Sequence, residues 1–154
     1  MIAVVGLGNE LLCDEGFGIN VVRELRKIHS PSLKIDFLEG GVSGHTLLPL
    51  FFDYEYIIFL DVIKTHDEPG SIYQFPMDDV CYVEKMITSF HDIGIEDVYK
   101  LAKIMGSKAK CYVVAMVPEC IDIVGSPTKT LLDKKEKFIS IVNNLILKCL
   151  GNNA

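Results

Sequence analysis

Glu55-Tyr56-Ile57-Ile58-Phe59-Leu60-Asp61-Val62-Ile63 is the most apolar stretch of the chain. Its length suits a strand, and a run without polar alternation suits a strand buried on both faces, as in the middle of a parallel sheet. Three further runs read as its neighbours: residues 2–7, residues 33–39 with partial alternation, and residues 110–117. Helical patterns lie between them. From about residue 14, Phe17, Val21, Leu25 and Ile28 line one face, until Ser30-Pro31-Ser32 stops the helix. A short helix is expected over Thr46–Phe52, after the flexible loop at Gly40–Gly44. Residues 92–105 form another, with Ile95, Val98, Leu101, Ala102 and Met105 on one face, and a final helix covers about 129–150. Pro118 and Pro127 bracket a loop, and Ser71–Phe75 reads as an edge strand after the polar stretch Lys64–Gly70. Strands alternating with helices predict an α/β sandwich, helices covering both faces of a mostly parallel sheet. Ligands in such folds sit beyond the carboxyl ends of the strands.

The chain has 154 residues and is expected to form a single domain, 1–154. Although 49% of it is hydrophobic, no run reaches the ~18–20 apolar residues of a membrane span. The start, Met1-Ile2-Ala3-Val4-Val5, has no basic region before its apolar run, so no secretory leader is expected there. A net charge of −6 with scattered basic residues argues against a nucleic-acid partner. Five widely spaced cysteines without a C-x-x-C pair read as reduced, mostly buried thiols in a cytoplasmic protein.

Polar residues at the strand ends carry the chemistry. Gly6-Leu7-Gly8 after the first strand invites a dinucleotide reading, but the third glycine of that fingerprint is missing, because position 11 is Leu. Asp14-Glu15-Gly16 opens the first helix, where Asp14 can serve as a cap and Glu15 suits the positive end of the dipole. Asp61 ends the central run, and an ionised carboxylate there is costly unless paired or metal-bound, which leaves functional and structural roles both open. His91, in Thr88-Ser89-Phe90-His91-Asp92, reads by itself as a solvated loop side chain. Glu15 follows the first strand, Asp61 ends the third and His91 follows the fourth. All three can therefore meet at the carboxyl edge of the sheet. Two carboxylates and an imidazole suit a borderline divalent ion such as nickel, zinc, iron or manganese, without choosing among them. Ser43 lacks the G-x-S-x-G elbow, and Cys13 has no evident paired His.

These residues resemble the hydrogenase maturation proteases, the endopeptidases that trim the large subunit of nickel–iron hydrogenases. The resemblance runs nearly end to end. It rests on Gly6-Leu7-Gly8-Asn9, Asp14-Glu15-Gly16-x-Gly18, Gly40-Gly41, Asp61, His91, Pro118-Glu119 and Ser126-Pro127-Thr128, in that order. It implies a three-layer α/β/α sandwich around a mixed, mostly parallel five-stranded sheet, with Ser71–Phe75 as the antiparallel edge. It implies that Glu15, Asp61 and His91 contact metal, and that the metal is nickel already inserted in the precursor, with zinc or cadmium able to stand in. The implied partner is the hydrogenase large-subunit precursor, which loses a C-terminal extension in the cytoplasm, with no nucleic acid or membrane involved. Part of the apolar surplus is then expected on the surface, as docking area for a protein substrate. The position before Gly40-Gly41 is often Asp in the family and is Glu39 here, so Glu39 is carried as a catalytic-region residue. Two other readings stand beside this one. Gly-Leu-Gly-Asn also occurs in peptidyl-tRNA hydrolases, although Glu10 replaces their usual Pro. A non-catalytic metal- or nucleotide-sensing module is the third.

Overall fold

The computed structural model describes residues 1–31, 34–42, 44–79, 87–89 and 93–151. Seven strands are formed among them: β1 (Ile2–Leu7), β2 (Ile35–Gly41), β3 (Tyr56–Val62), β4 (Lys64–Thr65), β5 (Ile72–Pro76), β6 (Ile87–Ser89) and β7 (Lys110–Met116). Five build one sheet in the order β2-β1-β3-β7-β5. β1 pairs in parallel with β2 and β3, β3 pairs in parallel with β7, and β5 closes the edge antiparallel to β7. The apolar run around Ile57 is therefore the central strand, buried along its whole length.

The period-two alternation of a strand divides the core between two faces. Ile2, Val4, Ile58, Leu60 and Val114 pack against Phe17, Val21 and Leu25 of α1 (Phe17–Ile28), together with Phe138 and Val142 near the C-terminus. Ala3, Val5, Ile57, Phe59 and Val113 pack on the opposite side. Their partners are Phe51 of α2 (Leu50–Asp53) and Ile95, Val98, Tyr99 and Ala102 of α3 (Ile93–Ile104). Burying each large side chain contributes ~1.5–3 kcal/mol, so both helix layers are held mainly by this apolar area. The result is the three-layer sandwich on a mixed sheet.

Several elements differ from their sequence reading. The first helix opens at Phe17, because Cys13–Gly16 forms a 3-10 turn. Ile28, at the helix end, is exposed. The inward stripe of α3 uses Tyr99 where Leu101 was expected, and Leu101 and Met105 face solvent. The segment expected as one short helix near residue 50 is a 3-10 turn, Gly44–Leu47, followed by α2. The last helix is two, α4 (Lys129–Asp133) and α5 (Lys135–Gly151). At the break the Lys134 N–H bonds back to the Leu131 carbonyl, tightening the turn. The polar stretch after β3 is not wholly irregular. β4 pairs antiparallel with β6, setting Lys64 opposite Ser89. Among the described residues no helix is long and apolar enough to cross a membrane.

Candidate active site

The carboxyl ends of β1 and β3 lie side by side, and close backbone packing brings the turn after β1 against β3. Glycine makes this possible. A Cβ on Gly6 would lie 2.5 Å from the Gly18 carbonyl oxygen, and one on Gly18 would run into the carbonyl oxygens of Leu60 and Leu7. The start of α1 therefore touches the backbone immediately before Asp61. Of the glycines that invited a dinucleotide reading, Gly6 serves this approach and Gly8, at φ 112°, makes the turn out of the strand. Eight residues separate Gly8 from the start of α1, so the N-terminus of α1 does not stand where a pyrophosphate would need it.

Asp61 is 1% exposed and accepts a hydrogen bond from the Val62 N–H at 2.8 Å. It sits one residue before the end of β3, on the sheet face shared by Ile57 and Phe59, the side covered by α3. Glu15 is half-buried in the 3-10 turn, with its N–H bonded to the Leu12 carbonyl. The structure thus places Glu15 and Asp61 at one edge of the sheet. His91 lies outside the described residues. Its chain neighbour Ser89 pairs with Lys64, three residues beyond Asp61, and α3 begins at Ile93. Among the described residues, no three His, Cys, Asp or Glu side chains are grouped to hold a metal ion.

Glu39 is placed elsewhere. It stands on the edge strand β2, level with Gly6, which is in turn level with Leu60 of β3. Two strand spacings, about 10 Å, and the thickness of the sheet separate it from Asp61, because Glu39 projects toward α1. There its carboxylate accepts from Arg23 Nε at 3.1 Å and Nη2 at 2.7 Å, and from Arg26 Nη1 at 3.3 Å. The Arg23 guanidinium, with Arg26 behind it, holds the Glu39 carboxyl below the usual carboxylate range. Glu39 also lines a cleft of about 430 Å³ with Asn9, Glu10, Leu11, Gly41 and Val42.

A densely hydrogen-bonded polar side chain at this edge is Asp14, which the sequence suggested only as a helix cap. It caps no helix. Completely buried, its Oδ2 accepts from the backbone N–H groups of Glu119 at 2.8 Å and Cys120 at 3.0 Å. Its Oδ1 accepts from the Thr128 N–H at 2.6 Å, and Thr128 Oγ1 donates to the carboxylate at 3.0 Å. The segments Pro118-Glu119 and Ser126-Pro127-Thr128, far from Asp14 in sequence, are thereby fastened to the turn carrying Glu15. Their shared place in the family resemblance was the available signal, but only the fold shows that they meet. Alongside, Cys120 Sγ donates to Cys13 Sγ at 2.6 Å, and the Cys13 thiol donates to the Ile123 carbonyl at 2.8 Å. The bond from Cys120, then burial, raises the Cys13 thiol above its ordinary range. Leu11, Ile123 and Val124, 66%, 63% and 78% exposed, form an apolar crest where the Leu11 carbonyl accepts from the Gly125 N–H.

Comparison with known proteins follows the same lines. A family model described as hydrogenase maturation protease matches residues 19–144, a span that includes Asp61 and His91 and begins four residues after Glu15. Hydrogenase expression/formation protein HupD of Rhodobacter capsulatus is 33% identical over 106 residues, covering 68% of this chain and 50% of that protein. Hydrogenase 2 maturation protease of Escherichia coli is 27% identical over 123 residues, covering 79% of this chain and 75% of that one. Among solved structures, the hydrogenase maturating endopeptidase HybD from Escherichia coli superposes with a TM-score of 0.87 at 25% identity, covering 96% of this chain and 93% of that one. The chain spans about half the length of several curated relatives it matches.

Proposed function

The chain belongs to the hydrogenase maturation protease family, and on that premise we propose that it is an endopeptidase acting in the cytoplasm. Its substrate is the precursor of a nickel–iron hydrogenase large subunit, from which it removes a C-terminal extension. Glu15, Asp61 and His91 read the nickel already seated in that precursor, so the metal arrives with the substrate. The observation that carries this reading is Asp61, a carboxylate 1% exposed at the carboxyl end of the central strand, beside the turn that holds Glu15.

Peptide hydrolysis needs a scissile carbonyl held in place for attack by water, and fixing that geometry can supply a large part of the barrier reduction. Two carboxylate oxygens and an imidazole match a borderline divalent cation. Gripping the precursor's nickel from outside would fix the extension relative to the sheet edge. The exposed crest of Leu11, Ile123 and Val124 offers apolar area for the same partner. Glu39 takes a positional role here: its arginine-held carboxylate keeps its charge near neutrality, so it orients groups in the adjoining cleft without delivering a proton.

The test is to incubate the purified chain with a nickel-loaded precursor and weigh the product. Loss of a C-terminal peptide supports the reading, and an intact precursor with a correctly folded chain rejects it.

A further inference from the structure

Cys13 and Cys120 come together from opposite ends of the chain, and the proposed cleavage uses neither. We propose that they form a redox-active thiol pair that closes to an intramolecular disulfide by exchange with a small disulfide such as oxidised glutathione.

Four observations bear on this. The two sulfurs are 2.6 Å apart, with Cys120 Sγ donating to Cys13 Sγ, and a covalent bond of about 2.05 Å requires a shift of only about half an ångström. The backbones are already held together. Asp14 N–H bonds to the Cys120 carbonyl at 2.9 Å, and Cys13 N–H bonds to the Gly125 carbonyl at 3.0 Å. The bond can therefore close on the existing arrangement. Access is divided between the two thiols: Cys13 is 7% exposed, whereas Cys120 lines a cleft of about 170 Å³ with Lys64, Glu119 and Asp122. Cys13 also adopts φ 44°, a left-handed conformation that Gly or Asn takes more readily. A thiol occupies a position where its backbone is not the favoured one.

The exchange runs in two steps. Cys120 gives its proton to solvent, and its thiolate attacks one sulfur of the glutathione disulfide; the glutathione S–S bond breaks, a mixed disulfide forms at Cys120, and one glutathione thiolate leaves and takes up a proton. Cys13 then gives its proton to solvent and attacks Cys120 Sγ. The Cys13–Cys120 bond forms, and the second glutathione leaves as a thiol. Two electrons pass from the protein's thiols to the glutathione disulfide. The junction that Asp14 makes by hydrogen bonds becomes covalent.

The test uses the full reduced chain, treated with oxidised glutathione, alkylated, digested and mapped by mass spectrometry. The five alkylatable thiols should fall to three, with one cross-linked peptide pair joining Cys13 to Cys120. Cys13→Ser should trap glutathione on Cys120, and Cys120→Ser should leave Cys13 without a glutathione adduct. If Cys13→Ser fails to fold, the wild-type map decides alone. Glutathione resting on Cys120 beside an alkylatable Cys13, five reactive thiols, or a link through another cysteine would overturn the proposal.

Discussion

Replacing Asp14 by Ala is expected to loosen the loop between Pro118 and Thr128 and to remove much of the protein's stability. The wild-type carboxylate is fully buried and accepts three backbone N–H groups and one hydroxyl. A hydrogen bond to a charged group contributes ~1.5–3 kcal/mol net, so full additivity would give a loss of about 6 kcal/mol or more. Additivity fails here, because residues 122–126 are exposed and the freed donors can swing toward water. A loss of about 3–5 kcal/mol is the expected range, comparable to removing one partner of a buried charged pair. Small domains have ~5–15 kcal/mol in total, so Asp14→Ala should be marginally folded. Asp14→Asn separates the contributions. Its single carbonyl oxygen can serve the Glu119–Cys120 pair or Thr128 but not both, so it should lose roughly half as much. With no tryptophan in the chain, urea unfolding is best followed by far-ultraviolet circular dichroism. A loss below about 1 kcal/mol for Asp14→Ala, or an Asn variant as damaged as the Ala one, would refute this reasoning.

Gly18→Ala should lower stability by about 3 kcal/mol, because its Cβ meets the backbone of Leu60 and Leu7, which cannot move aside as a flexible side chain would; an unchanged melting temperature would contradict that. Glu39→Gln should cost only about 0.2–1 kcal/mol at neutral pH, since the Glu39 side chain is 35% and the Arg23 side chain 45% exposed. The sign follows from the lowered Glu39 pKa. Stabilisation is present above the unfolded carboxyl's value, about 4.3, and is lost as pH falls through the folded value, so the gap between variant and wild type should close on acidification. Unfolding midpoints at neutral and acidic pH check this, and a gap that persists in acid would contradict it. Asp61→Asn should keep the fold, because Oδ1 still accepts from the Val62 N–H, but should abolish capture of a divalent ion. Crystals of the wild type soaked with zinc should show Glu15, Asp61 and His91 at ~2.0–2.2 Å from one ion, and side chains pointing apart would count against the trio.

Much of the fold was legible because its elements bury strong, simple patterns. The run through Ile57 and Phe59 is short and apolar on both faces, as suits a central strand, and α1 declares itself through Phe17, Val21 and Leu25. The break at Lys134 was not legible, since one tightened turn leaves the i, i+3 and i+4 spacing almost unchanged. Nor was the β4–β6 ribbon, whose two- and three-residue strands are too short to show a period. For the site, the burial of Asp61 at the end of β3 was legible as a carboxylate inside an apolar run. The role of Asp14 did not, because its donors come from residues more than a hundred positions away and nothing local distinguishes a helix cap from a buried clamp. Glu39 was carried as a catalytic-region residue from its place before Gly40-Gly41; its pairing with Arg23 and Arg26 of α1 had no local signal, because it depends on the side to which the alternation of β2 turns the carboxylate.

In the proposed function, the nickel that the substrate carries is what this chain recognises. The most direct measurement is the rate of C-terminal processing by the wild-type chain on two preparations of one precursor, nickel-loaded and nickel-free. Cleavage of the loaded precursor alone is expected, with Asp61→Asn inactive on both. Equal cleavage of the two precursors by the wild type would contradict it.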